Sequence, residues 1–280
     1  MDDVFPLDFW KMSGAGNDFI VIDHRNHRIP VAEQPDFARR VCRRMFSVGA
    51  DGLILIEQPM AADHDFSWRF YNSDGSVAAM CGNGSRCAAR FAFAHGIAGK
   101  SMRFATLAGI VQAEIVTETE VRVALPTPQG LRHPVVVELD GQRLSGGLVT
   151  VGVPHLVLFP EGNQVPVVRW GREARMAPQF QPDGVNVNFV RLAAGNRIQV
   201  RTYERGVENE TMACGTGAAA SVICAAAIHG IKPPVTVETS GGEELTINFA
   251  TDSSGALAHV TLEGAARLIY RGSLTAEALN

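Results

Sequence analysis

Charge, lysine and long apolar runs are all scarce in this sequence. Charged residues make up 19% of the 280, with 25 basic against 29 acidic side chains and a formal net charge of −4. That balance excludes disorder of the highly charged kind as the main state. It also argues against a strongly basic nucleic-acid binder. The longest apolar stretch, Ala218 to Ile228, is 11 residues long and has Ser221 within it, well short of the ~20 residues that span a bilayer. The start, Met1-Asp2-Asp3-Val4-Phe5-Pro6, is acidic where a secretory signal is basic, and no apolar core of a signal follows. Lysine occurs only at Lys11, Lys100 and Lys232, none of them in a recognisable cofactor loop. No Cys-x-x-Cys, low-complexity tract or Ser/Gly linker is present.

What is there is a moderately long chain, 46% hydrophobic, with five cysteines. That is enough for one large core or two ordinary ones. An odd set of cysteines with no signal segment points to a cytoplasmic location and free thiols rather than a disulfide frame. Glycine and proline cut the chain into short pieces of strand length, among them Phe19 to Ile22, Leu53 to Ile56, Val185 to Val190 and Ile198 to Tyr203. Helical patterns cover Gln34 to Phe46, Cys81 to His95 and Cys214 to His229, with a weaker one at Gly171 to Met176. Strands therefore outnumber helices, as in an α+β fold. The Pro126 to Gly130 segment is the best candidate for a boundary.

The chain also repeats itself. Arg69-Phe70-Tyr71-Asn72 precedes Cys81-Gly82-Asn83-Gly84, an Ala-rich run and His95-Gly96-Ile97. Arg201-Thr202-Tyr203-Glu204 precedes Cys214-Gly215-Thr216-Gly217, another Ala-rich run and His229-Gly230-Ile231. Cys81 and Cys214 lie 133 positions apart, and Thr106-Leu107-Ala108-Gly109 and Thr239-Ser240-Gly241-Gly242 share that offset. Each half reads as strand, glycine-rich turn with a cysteine, helix, then further strands.

Cys-Gly-x-Gly opening a helix has a chemical meaning. The glycines expose amide N–H groups, and the first turn of the helix leaves its own donors unpaired. Such an end attracts a carboxylate or phosphate and favours thiolate over thiol. If the halves face each other across a cleft, two cysteines flank one bound carboxylate. One thiolate then removes the α-proton while the opposite thiol delivers a proton to the other face. The helix ends stabilise the carbanion in a water-poor site. Pyridoxal bound to lysine is the usual alternative, and the sparse lysines favour a route with no cofactor.

Three motifs in order, Phe9 to Phe19 (FWKMSGAGNDF), Tyr71 to Ser76 (YNSDGS) before Cys81, and Tyr203 to Gly206 (YERG) before Cys214, resemble diaminopimelate epimerases over nearly the whole chain. The resemblance implies an isomerase that interconverts LL- and meso-diaminopimelate on the route to lysine and peptidoglycan, without cofactor or metal. It implies that Cys81 and Cys214 are the acid/base pair, His155 the partner of Cys81 and Glu204 that of Cys214. The N–H groups of Gly82, Asn83, Gly215 and Thr216, with Asn17, hold the reacting carboxylate. Asn72, Asn186, Glu204 and Arg205 read the distal end of the substrate, Arg205 on its carboxylate. The fold it implies is two pseudo-symmetric α+β domains, each a curved mixed sheet or barrel around a central helix, with the active site in the interdomain cleft. Their bounds are 1–127, with 268–280 returning, and 128–267. A small-molecule amino-acid substrate is the expected partner, with no nucleic acid and no membrane, and a homodimer is the family's tendency.

Two departures stand out. The family's Gly-Asn-Pro-His turn reads Gly152-Val153-Pro154-His155 here, so Val153 cannot supply that asparagine's substrate contact. The segment Arg205 to Thr211 is one residue longer than the common form. A racemase of another amino acid therefore stays open, as does a cysteine hydrolase or acyltransferase using Cys81 with His155, which leaves the second cysteine turn idle. Cys42, Cys87 and Cys224 lie in apolar helical stretches and are expected to pack. Their spacing from the other two gives no zinc pattern. His95 and His229 end the two Ala-rich helices, where an imidazole suits a helix C-terminus. His24, His27, His64, His133 and His259 stand outside any motif. Gly14-Ala15-Gly16 lacks the third glycine of a dinucleotide loop, and the Arg39-Arg40 and Arg43-Arg44 pairs read as a solvated helix face.

Overall fold

A computed structural model describes residues 5–162, 164–253 and 257–280. In order, its elements are β1 (Leu7–Gly14), β2 (Asn17–Asp23), α1 (Gln34–Val41), β3 (Gly52–Glu57), β4 (Phe66–Asn72), α2 (Gly82–Ala94), β5 (Ser101–Thr106), β6 (Gly109–Ile115), β7 (Glu120–Leu125), β8 (Gln129–Leu139), β9 (Gln142–Val151), β10 (Val153–Leu158), α3 (Val167–Arg175), β11 (Asn186–Ala193), β12 (Arg197–Glu204), β13 (Asn209–Thr211), α4 (Gly215–His229), β14 (Val235–Thr239), β15 (Glu244–Thr251), β16 (Leu257–Ala265) and β17 (Arg267–Leu274). They gather into two compact units, Met1–Val123 with Gly264–Asn280, and Ala124–Glu263.

The internal repeat is a repeat of topology. In the first unit β2 pairs parallel with β3, β3 antiparallel with β4, β4 parallel with β5 and β5 antiparallel with β6, with α2 crossing from β4 to β5. The second unit has the same series: β10 and β11 parallel, β11 and β12 antiparallel, β12 and β14 parallel, β14 and β15 antiparallel, with α4 as the crossover. Parallel neighbours need a long crossover, which is why a helix must stand after β4 and after β12. Each unit is a mixed sheet with few helices, as expected of the α+β reading.

Burial follows the pattern of apolar residues. β3 is buried at all six of its positions, so its continuous apolar run is a core strand. In α4 every residue from Gly217 to Ala225 is buried, and strands β8 to β12, β14 and β15 all contact this helix. Alanine is the side chain that lets a helix be enclosed on every side. Gly147 on β9 lets this helix come close: a Cβ there would come within 2.8 Å of the Cys224 sulfur. No helix among the described residues is long and apolar enough to cross a membrane.

The first helix is shorter than its pattern predicts. α1 ends at Val41 rather than Phe46, because Cys42 caps it and Met45 takes a left-handed φ of 69°. Met45 and Phe46 are then exposed in the turn that follows. Arg39 and Arg40 pair with Asp36 on the helix face, while Arg44 reaches Asp18 and Asp51.

Candidate active site

Both cysteine turns form in the same way. Cys81 is the N-cap of α2, extended at φ −146°, and its Sγ accepts the Gly84 N–H at 3.5 Å. Cys214 is the N-cap of α4, extended at φ −123°, and accepts the Gly217 N–H at 3.4 Å. A sulfur here takes the place of the oxygen that Ser or Asp uses at an N-cap. Negative charge on either sulfur therefore meets an amide donor and the positive end of a helix. The Thr216 hydroxyl stands a further 3.6 Å from Cys214 Sγ. Both cysteines are half-buried, whereas Cys42, Cys87 and Cys224 are buried. Burial pushes the thiols of Cys42, Cys87 and Cys224 each up to about 12.

Asn17 and Asn83 meet at the first turn. The β1–β2 turn, left-handed at Ala15 and Gly16, brings Asn17 Oδ1 to accept from Asn83 Nδ2 at 2.6 Å. Asn17 Nδ2 donates in turn to Asp51. Behind them, Arg86 is fully buried and donates to Asn83 Oδ1 at 3.0 Å and to the carbonyls of Gly82 and Ala265. An Arg inside an Ala-rich helix looks like a surface residue in sequence. Here it adds a buried cation five residues after Cys81, reinforcing the attraction for an anion. Asn72, at the end of β4, is exposed and donates to Ser76 Oγ at 2.9 Å. A Cβ on Gly82 would meet nothing within 4 Å, so the space at that position is open.

Lys11 and Asp18 tie down the same corner. Their side chains pair at 2.9 Å, and Lys11 also donates to the Gly49 carbonyl. Burial alone would raise Asp18, but hydrogen bonds from Arg44 and Lys11 outweigh it and hold the carboxyl below its usual range.

In the second unit β10, β11 and β12 set His155, Asn186, Glu204 and Arg205 close together. His155 and Asn186 are register partners in the parallel β10–β11 pair. Asn186 Oδ1 accepts the Arg205 N–H at 2.8 Å, and the Arg205 guanidinium donates to the Asp183 carbonyl. His155 is fully buried, and burial, with the charge of Arg205 adding to it, drives its pKa down to about 3. The ring is therefore neutral near pH 7. Burial pushes the Glu204 carboxyl up, against a smaller opposing pull from Thr211. Val153 opens β10 half-buried, two positions before His155.

Other groups lie apart from these. His24, His27 and Glu57 form, among the described residues, a cluster with metal-ligand chemistry, their ligand atoms within 4.8 Å of one another. The Ile29 N–H donates to His24 Nε2 at 2.9 Å, which puts the ring proton on Nδ1, and that proton goes to Glu57 Oε1 at 3.1 Å. Arg69 takes the other carboxylate oxygen. A cation at Nδ1 would have to displace that proton, so these residues hold a hydrogen-bond chain rather than a ligand set. A cavity of about 830 Å³, walled in part by Trp10, Phe91, His95 and Arg271, is lined by none of the candidate catalytic or substrate-binding residues. His95 and His229 sit at the ends of α2 and α4, as their positions suggested.

The family model of diaminopimelate epimerase matches residues 9–129 and 147–268. The chain belongs to the diaminopimelate epimerase family. Among its relatives, diaminopimelate epimerase of Aquifex aeolicus (strain VF5) is 46% identical over 98% of this chain and 99% of the relative. That of Hydrogenobaculum sp. (strain Y04AAS1) is 40% identical over 95% and 98%. Among solved structures, a phenazine biosynthesis protein of the PhzF family from Bacillus anthracis superposes with a TM-score of 0.73 at 14% identity, covering 96% of this chain and 98% of that one. A hydroxyproline epimerase from Agrobacterium vitis gives 0.69 at 14% identity, over 97% and 93%. These two likenesses, at such identity, concern the fold. Membership in the diaminopimelate epimerase family rests on the sequence matches.

Proposed function

We propose that the protein epimerises diaminopimelate at an α-carbon by two-base proton transfer, converting the LL form to the meso form. The observation that carries this reading is the twin construction of Cys81 and Cys214, each capping a helix with its sulfur on an amide N–H, in a chain of this family. One sulfur, as thiolate, takes the α-proton; the other, as thiol, gives its proton to the opposite face of the same carbon. The configuration inverts, and the enzyme ends with the protonation of the two cysteines exchanged. Negative charge on the intermediate flows into the α-carboxylate, held by the N–H groups of Gly82, Asn83, Gly215 and Thr216 together with Asn17. Fixed donors of this kind lower the barrier because they need no reorganisation as charge develops. His155 serves Cys81 and Glu204 serves Cys214. Asn72, Asn186, Glu204 and Arg205 recognise the distal amino-acid end. Both sulfurs must be reduced to work, which fits a cytosolic protein acting on a free small molecule.

Incubation with LL- or meso-diaminopimelate in heavy water tests the reading. Deuterium enters at the α-carbon as the two forms interconvert. Reduced, folded protein that incorporated none would overturn the assignment. Exchange into a different amino acid, faster than into diaminopimelate, would move the substrate to one that does not need the asparagine replaced by Val153.

A further inference from the structure

Asn188 carries no motif, yet it is fully buried beside the candidate residues of the second unit. It lies on β11 two residues after Asn186, so the two side chains leave the strand on the same face. Its amide makes three polar contacts. Nδ2 donates to the Leu156 carbonyl at 3.1 Å and stands 3.3 Å from His155 Nδ1, and Oδ1 accepts the Thr202 hydroxyl at 2.9 Å. The Leu156 carbonyl can only accept, so the amide nitrogen and not the oxygen must face it. The second N–H of the same nitrogen then points at His155 Nδ1. A ring nitrogen facing a donor must offer its lone pair. The neutral imidazole therefore keeps its one proton on Nε2.

That Nε2–H has no protein partner among the described residues, although His155 is fully buried. A buried donor without an acceptor costs stability, and natural structures rarely leave one. An acceptor brought by the reacting molecule would satisfy it. Asn188 Oδ1 also lies 2.4 Å from where a Cβ on Gly217 would be, so the amide packs against the residue whose N–H meets the Cys214 sulfur.

We propose that Asn188 is a positioning residue that fixes His155 as the Nε2–H tautomer, so that His155 meets the reacting site as a hydrogen-bond donor to an anion and not as a base. The inference rests on the proposed epimerase reading for what His155 does, but not for its tautomer. A donor stabilises negative charge on a thiolate or a carboxylate oxygen. The opposite tautomer would present a lone pair to the same charge and repel it.

Nitrogen-15 NMR of histidine-labelled protein near neutral pH reads the tautomer directly, with His155→Gln used to assign the signal. Wild type is expected to show a protonated, pyrrole-type Nε2 and an unprotonated, pyridine-type Nδ1. An Nδ1–H tautomer or an imidazolium overturns the assignment. Asn188→Asp keeps the shape but puts an acceptor at Nδ1. The ring proton should move to Nδ1, and kcat should fall by roughly 10- to 100-fold with a much smaller change in KM. Unchanged kcat alongside a moved proton would overturn the functional half of the proposal. Thr202→Val removes the hydroxyl but not the Leu156 carbonyl, so the wild-type tautomer should persist; its loss would show that the carbonyl does not set the amide. The spectra need no substrate. Protein that fails to exchange deuterium into diaminopimelate therefore removes the proposed reaction while leaving the tautomer assignment to stand or fall on its own.

Discussion

The Gly217 N–H donates to the Cys214 sulfur across 3.4 Å, and the same bond recurs from Gly84 to Cys81 at 3.5 Å. Two sequence-distant cysteines thus have one local geometry, and the proposed proton transfer needs both. Cys81→Ala and Cys214→Ala should each reduce interconversion of the LL and meso forms by at least about a thousandfold, since each removes one of the two proton carriers. Optical rotation or separation of the stereoisomers measures it. A single-cysteine variant with near-normal turnover would show that one thiol suffices, contrary to a two-base route.

Alkylation should divide the five cysteines along the same line. Burial pushes Cys42, Cys87 and Cys224 up to about 12, so near neutral pH they stay protonated as well as inaccessible. Cys81 and Cys214 are half-buried. Iodoacetamide acting on the folded protein should modify those two first, and substrate should protect both. Peptide mass spectrometry after a short exposure gives the order. Equal labelling of all five in folded protein would contradict the packing of the other three.

Much of this was legible before the structure, and the limits have physical causes. The cysteine turns could be read because glycine spacing and a helix start are local signals. The repeat could be read because the order of its parts is copied along the chain, and the paired topology of β2 to β6 and β10 to β15 follows it. Arg86 could not, since an Arg in an Ala-rich helix gains its meaning from Asn83 and the Ala265 carbonyl, far apart in sequence. Asn188 left a trace: Asn186-Val187-Asn188 puts two polar residues on one face of an apolar strand, a pattern that asks for partners. The end of α1 was misplaced because the apolar spacing continues through Met45 and Phe46 while the backbone turns left-handed at Met45.

His155 should leave a signature in the pH dependence of stability. Its pKa is about 3 in the folded protein against 6.5 as the ordinary value. Between those values the unfolded chain binds a proton that the native state does not, so this residue makes the protein less stable as pH falls through that window. Glu204, whose carboxyl is pushed up, acts with the opposite sign: it favours the native state as pH falls toward its ordinary range. Urea unfolding of wild type and His155→Gln from about pH 7 to about pH 4 separates the two effects, because the Glu204 contribution is common to both proteins. Wild type should lose stability relative to the variant as the solution is acidified, with a slope of at most about one proton. A difference that stays flat over that range would mean that His155 is not held neutral by burial.

Gly82 directly follows Cys81, whereas Gly217 is the third residue after Cys214, and an added methyl group should act differently at each. At Gly217 a Cβ would sit 2.4 Å from Asn188 Oδ1 and 3.2 Å from Cys214 Sγ, both below ordinary contact. The Asn188 amide cannot give way without losing the Leu156 carbonyl or the Thr202 hydroxyl. Gly217→Ala should therefore destabilise the fold by about 1–3 kcal/mol, the usual cost of overpacking. It should lower kcat as well, because the sulfur and the amide behind it are both displaced. At Gly82 nothing lies within 4 Å of the new Cβ, and alanine is the better helix former. Gly82→Ala should fold with stability within about 0.5 kcal/mol of wild type or slightly above it. Its methyl would stand beside the amide proposed to hold the α-carboxylate, so the loss should appear in activity alone. Thermal unfolding read together with kinetics tests the contrast. Matching losses of stability in both variants would mean that the space beside Gly82 is not open, and full activity in Gly82→Ala would take its N–H out of the carboxylate site.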